Sequence, residues 1–176
     1  MNRFVVISGC SGGGKSALLA ELEKRGHAVV QEPGRRIVKA ELETGGSALP
    51  WVDAAAFARK AIGMATDDRR LAERVTGRVF FDRGLIDAAA ALHHVTGEPT
   101  LEPLKTQHRY NRCVFLTPPW PEIYVPDHER RHAFAVALEE YARLVEVYPV
   151  LGYEVRIVPK LPVAARADYV TQELES

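Results

Sequence analysis

Gly9-Cys10-Ser11-Gly12-Gly13-Gly14-Lys15-Ser16 fits G-x-x-x-x-G-K-[ST], the phosphate-binding P-loop. The apolar run Phe4-Val5-Val6-Ile7 precedes it, and Leu18, Leu19 and Leu22 follow at helical spacing. A strand–loop–helix setting is what the motif requires. Glycines let the backbone curl so that several N–H groups face one anion, with the positive end of the helix behind them. A glycine-rich turn would account for the loop alone, but not for Lys15, Ser16 and both flanking elements together. The expected nucleotide cradle is Gly9, Ser11, Gly12, Gly13, Gly14, Lys15, Ser16 and Ala17. Lys15 is expected to reach the β- and γ-phosphates and the Ser16 hydroxyl to sit on Mg²⁺, so ATP and Mg²⁺ are the predicted cofactors.

Outward from the loop, strand-like runs recur with helical patterns between them, which predicts βαβ units and a parallel sheet. The strands are predicted at 3–8, 27–31, 78–82, 111–117 and 153–158. The expected fold is α/β, a three-layer α/β/α P-loop NTPase fold with a five-stranded parallel sheet in the order 2-3-1-4-5. A long helical region lies between the second and third strands, where Trp51, Ala55, Ala58, Ile62 and Ala65 form one predicted apolar stripe. Gly63 within it predicts a possible kink. Near the C-terminus Phe134, Leu138, Tyr141, Val145 and Tyr148 mark a second helix face, closed by Pro149 and Gly152.

The chain has 176 residues, 47% apolar and 26% charged, which suits one globular domain over 1–176. Its 23 basic and 23 acidic side chains leave no net charge, so a nucleic-acid partner is not expected. No segment approaches membrane-spanning length and the start does not read as a signal peptide, so no membrane partner is expected either. Cys10 and Cys113 make neither a disulfide framework nor a metal pair. The expectation is a cytoplasmic protein, monomer or homodimer, whose partners are a nucleotide and an unidentified small-molecule acceptor. Sequential His93-His94 would point to different helix faces, and no H-E-x-x-H, C-x-x-C or G-x-S-x-G is present. Metallohydrolase and serine-hydrolase chemistry therefore lack their parts.

Phosphoryl transfer needs a metal clamp, positive charge near the transferring group and something to orient the attacking oxygen. In an open parallel sheet these belong outside the carboxyl ends of the strands. Two acids fall there: Glu32, in Gln31-Glu32-Pro33-Gly34-Arg35-Arg36, and Asp82, in Phe80-Phe81-Asp82-Arg83-Gly84. Asp82 suits a metal-site acid or a base for a substrate hydroxyl; alternatively it caps a helix starting near Leu85. Glu32 is a second candidate for the site, or a solvated turn residue. Arg83 could contact phosphate or substrate. Arg35 and Arg36 could hold an acceptor, or form ion pairs with Glu41 or Glu43. The prolines of the stretch from Thr117-Pro118-Pro119-Trp120-Pro121-Glu122 through Pro126-Asp127 forbid a continuous helix or an inner strand and suit a flap or an irregular crossover. With Arg130 and Arg131 after it, this suggests a lid over about 118–132 that brings an arginine to the γ-phosphate, Arg130 toward the nucleotide and Arg131 in a catalytic role. A charged, solvated first helical turn is the other reading of Arg130 and Arg131.

These motifs resemble those of P-loop nucleoside and nucleotide kinases. Taken with Glu129-Arg130-Arg131-His132 and Gly152-Tyr153-Glu154-Val155, they look like predicted ATPases of an AAA-type domain family similar to nicotinamide riboside kinase-like domains. Deoxynucleoside kinases are similar in carrying glutamate-proline after the second strand and an acid-arginine pair after the third. The resemblance implies Glu32 as base for the acceptor hydroxyl, Asp82 as a metal-site acid and Arg83 as a phosphate contact. Asp82-Arg83-Gly84 stands where those kinases carry glutamate, arginine and serine, so substrate identity does not transfer. The expected catalytic set is Lys15, Glu32, Asp82, Arg83 and Arg131, with Ser16 and Asp82 at the metal. The expected function is a Mg²⁺-dependent kinase acting on a small hydroxylated acceptor such as a nucleoside. The alternative is a regulatory module that binds ATP or ADP with slow or no transfer.

Overall fold

The computed structural model describes residues 2–123 and 128–175, without side chains over 128–133. Five strands, β1 (Phe4–Gly9), β2 (Ala28–Val30), β3 (Val79–Asp82), β4 (Cys113–Thr117) and β5 (Glu154–Ile157), form one sheet. All pairs are parallel and the order is β2-β3-β1-β4-β5, as the sequence predicts. The helices are α1 (Lys15–Lys24), α2 (Pro33–Thr44), α3 (Ala54–Ala72), α4 (Leu85–Thr96), α5 (His128–Val150) and α6 (Val163–Glu173).

Strand side chains alternate between two faces, and here both faces are covered. Phe4, Val6, Phe81, Val114 and Leu116 pack against α3, α4 and α5; Val5, Ile7, Phe80 and Phe115 pack against α1 and α6. That double burial explains why the strands read as unbroken apolar runs. Parallel pairing sends every strand's carboxyl end to one edge, with β1 and β3 adjacent there (Ile7 beside Asp82).

Two helix faces differ from expectation. Helix α3 starts one residue after Asp53, whose side chain accepts a hydrogen bond from Ala56 N at 2.9 Å. Trp51 therefore lies outside the helix and is exposed, and the buried stripe is Ala58, Ala61, Ala65 and Ala72. The helix is not broken at Gly63, where a Cβ would meet open space. In α5, Leu138 and Val145 are exposed, while Ala137, Leu144 and Tyr148 are buried. The helix ends in a Schellman turn: Tyr153 N bonds Tyr148 O at 3.1 Å, Gly152 N bonds Pro149 O at 2.9 Å, and Gly152 has φ +79°. The Tyr148 and Tyr153 rings meet edge to face, closing the motif with an apolar contact. No helix among the described residues is long and apolar enough to cross a membrane.

Candidate functional site

The P-loop leaves the end of β1 and turns directly into α1. Cys10 N extends the β1–β4 ladder by bonding Thr117 O at 3.0 Å, and Gly13 N bonds Cys10 O at 3.1 Å. Gly9 must be glycine: it has φ +113°, and a Cβ would lie 2.6 Å from Thr117 N. Gly14, at φ +78°, is the N-cap of α1, so the free N–H groups of the first turn face the curl of the loop. Ser11, Gly12, Ser16 and Ala17 are exposed along this concave edge, whereas Gly13 is buried beneath it.

Lys15 is only 5% exposed, and its Nζ lies 3.5 Å from Cys10 O. Burial, joined by the Arg83 charge, pushes its pKa down against the pull of Asp82 and Glu32. A buried cation beside the positive end of a helix calls for an anion. Burial also pushes the Cys10 thiol up, outweighing the pull of Lys15, so it is a protonated packing group and not a poised nucleophile.

Asp82 ends β3, buried, with its Oδ1 lacking any hydrogen-bond partner. Burial raises its pKa; Lys15 lowers it and Glu32 raises it. It is not a helix cap, because Gly84 occupies the N-cap of α4 and Asp87 supplies the carboxylate, accepting from Gly84 N at 2.9 Å. Ser16, Glu32, Arg35, Arg36 and Asp82 line one cavity of about 320 Å³. An orphaned buried carboxylate oxygen beside an exposed hydroxyl fits a hard cation with oxygen ligands. Among the described residues no group of three or more His, Cys, Asp or Glu side chains could hold a metal unaided, so such a cation would share its shell with phosphate and water.

Arg83 occupies the centre. Its backbone is left-handed (φ +62°), a strained state for a non-glycine residue, with its N–H bonded to Ile7 O at 2.9 Å. This aims the guanidinium back across the loop, where Nη2 bonds Gly9 O at 3.2 Å. Glu140 of α5 grips it with two bonds, 2.6 Å to Nη1 and 3.0 Å to Nη2. Glu32 Oε1 lies 3.3 Å from Nε and Asp87 Oδ1 3.8 Å from Nη1. Burial opposes the charge, but these three carboxylates outweigh it and hold Arg83 firmly protonated. Asp87 is itself fixed by the Ser8 hydroxyl and by Tyr148 OH at 2.7 Å.

Glu32 precedes α2 without capping it. Its carboxylate, 18% exposed, turns inward to Arg83 and to Arg35 Nε at 2.9 Å, so it is not a solvated turn residue. Arg35 pairs with Glu32 and Arg36 with Asp68 on α3, neither with Glu41 or Glu43. Glu41 instead holds Lys60 and Ala48 N. The structure thus brings together Lys15, Ser16, Glu32, Asp82 and Arg83. The lid expectation at 118–132 meets a short 3₁₀ turn at Pro121–Ile123 and the start of α5; the side chains of Arg130 and Arg131 lie outside the described residues.

Sequence reasoning missed three site residues. Glu140 sits within an ordinary charged stretch of α5, and nothing local marks it. Asp87 lies in the first turn of α4, and Arg83 precedes that helix in a left-handed turn, so no helical spacing marks the pair. Arg166 of α6 is buried against the loop, donating to Gly14 O at 3.1 Å and lying 5.4 Å from the Trp120 ring centroid.

The fold is shared with several solved kinases. Shikimate kinase from Acinetobacter baumannii in complex with shikimate superposes with a TM-score of 0.59 at 14% identity, over 99% of this chain and 94% of that one. Deoxyadenosine kinase from M. mycoides with bound dATP gives 0.59 at 16%, over 99% and 100%. Thymidylate kinase from Ehrlichia chaffeensis gives 0.61 at 13%, over 99% of both chains. Among curated proteins none matches the chain. Residues 4–166, from the first strand to the buried Arg166, match the model of a family described as AAA domain, and the chain belongs to that family.

Proposed function

We propose that this protein is a Mg²⁺-dependent kinase that moves the γ-phosphoryl group of ATP to the hydroxyl of a small acceptor such as a nucleoside. One observation carries the reading: Glu32 lines both the cavity that holds Lys15 and a second cavity of about 260 Å³, which it shares with Phe57, Ala58, Ala61, Arg83 and Ala88. A purely regulatory nucleotide site needs Asp82 and Ser16, but no second cavity sharing a carboxylate with the phosphate side. The kinases that share the fold support the same reading.

The P-loop amides and Lys15 hold the phosphates, and the anion relieves the burial of the lysine cation. Ser16 and Asp82 would hold Mg²⁺. Bound Mg²⁺-ATP supplies an activated phosphoryl group whose charge the ion neutralises. Glu32 orients the acceptor hydroxyl and takes its proton. Arg83, braced by Glu140 and Asp87, places positive charge beside Gly9 and the phosphate region. The assembly is one domain over 1–176.

The test is ADP release from Mg²⁺-ATP with a panel of nucleosides, for wild type and Glu32→Gln. An acceptor should stimulate release, and the variant should lose about 10²–10⁴-fold of that stimulated rate. If no acceptor stimulates wild type and Glu32→Gln keeps the basal rate, the site is regulatory.

A further inference from the structure

The cleft around Glu32 is electrically polarised. On one side a cavity of about 590 Å³ is lined by Lys15, Arg35, Lys39 and Arg83, with Glu32 its one acid among the described residues. On the other, the cavity of about 260 Å³ is lined by Glu32, Asp87 and Glu140, with Arg83 its one base among the described residues. The two share Ser11, Glu32, Gly34, Phe57 and Arg83. An anionic triphosphate belongs on the basic side, beside Lys15. The acidic side is left for the acceptor.

Arg83, the one base among the described residues on that side, is already committed. Glu140 takes two of the Arg83 hydrogen bonds and Gly9 O a third, and Glu32 and Asp87 stand within 3.8 Å of the guanidinium. An anionic acceptor would have to displace Glu140 and approach two further carboxylates. The remaining walls are apolar: Phe57, Ala58 and Ala61 on α3, and Ala88 and Ala91 on α4. Gly34 keeps the aromatic wall close, since a Cβ there would lie 3.2 Å from Phe57 Cζ. Phe57 and flanking alanines suit a planar ring, and an aromatic wall attracts a cation.

We propose that the acceptor is a ring-bearing hydroxyl compound that is uncharged or cationic, and that phosphate monoesters and carboxylates are turned away. The inference rests on the assignment of the Glu32 cavity as the acceptor site. It is tested by fragment binding to the ADP-loaded protein, followed through backbone amide shifts of Phe57, Ala58 and Ala88. The probes are benzylamine, benzyl alcohol and benzoate, matched in ring and different in charge.

Benzylamine and benzyl alcohol should shift these amides, and benzoate should require at least about tenfold higher concentration. Glu140→Gln should narrow that gap by removing one of the repelling charges, and the wild-type ranking carries the test whether or not the variant folds. Benzoate binding as well as benzylamine, or no fragment shifting these amides, overturns the inference. If the charge ranking holds and no acceptor stimulates ADP release, the kinase reading falls and the cavity's selectivity stands. If a nucleoside monophosphate is phosphorylated faster than its nucleoside, the kinase reading stands and the charge selectivity falls.

Discussion

The two sides of the cleft are built differently. The phosphate cradle of the nucleotide side comes from one stretch, Gly9 to Ala17, whose geometry follows from glycines, a strand end and a helix start; Arg35, Lys39 and Arg83 add charge beside it. The acceptor side is assembled from α2, α3, α4 and α5, over a hundred residues of chain between Glu32 and Glu140. Phosphate recognition is a backbone property and so can be local. Acceptor recognition depends on side chains that only tertiary packing brings together. Away from the Glu32, Phe57 and Arg83 that both share, a change on one side should therefore leave the other intact.

The largest effect belongs to the nucleotide side. Lys15→Ala should weaken triphosphate binding by about 100-fold in a calorimetric titration, the loss of a buried charge-assisted contact. Fragment binding near Phe57 should not change. A variant that lost both would show the sides to be one unit.

Asp82→Asn should remove the Mg²⁺ dependence of nucleotide affinity, about tenfold or more. Its stability effect has the opposite sign. Burial raises the folded-state pKa of Asp82 above its ordinary value, so its contribution is full below the unfolded-state pKa and is lost as pH rises through the folded one. The ligand-free variant should accordingly melt a few degrees higher than wild type at neutral pH, and that gain should vanish in acid.

Gly34→Ala sharpens the comparison from the acceptor side. The added methyl meets Phe57 and must push its ring into the cavity, raising the acceptor KM by about 3–10-fold. ATP affinity should stay within about twofold, since Gly34 makes no part of the loop that holds phosphate. Smallest of all, Gly63→Ala should stabilise the protein by about 0.5–1 kcal/mol in denaturant unfolding and touch neither side, because the site is helical and open.

The same division governs what could be read without a structure. The sheet was legible because strands buried on both faces, such as Val79–Asp82, leave unbroken apolar runs. The P-loop was legible because its chemistry is contiguous. Helix faces were less so: two registers of 3–4 spacing coexist in α5, and Tyr141 and Tyr148 belong to both. Only packing selects Ala137 and Leu144 over Leu138 and Val145. On α3 the apolar spacing was read across the Asp53 cap, which wrongly drew in Trp51. Glu32, Asp82 and Arg83 could be placed because they follow strand ends. Glu140 could not, because its partner Arg83 is 57 residues away and reaches it only through a left-handed turn.

The most direct measurement is transfer itself: ATP labelled at its γ-phosphate, incubated with Mg²⁺, the protein and a panel of uncharged and cationic ring-bearing hydroxyl compounds. Label is expected on an acceptor hydroxyl with wild type and none with Glu32→Gln. Label released only as inorganic phosphate, at the same rate with and without every acceptor and in both proteins, would contradict it.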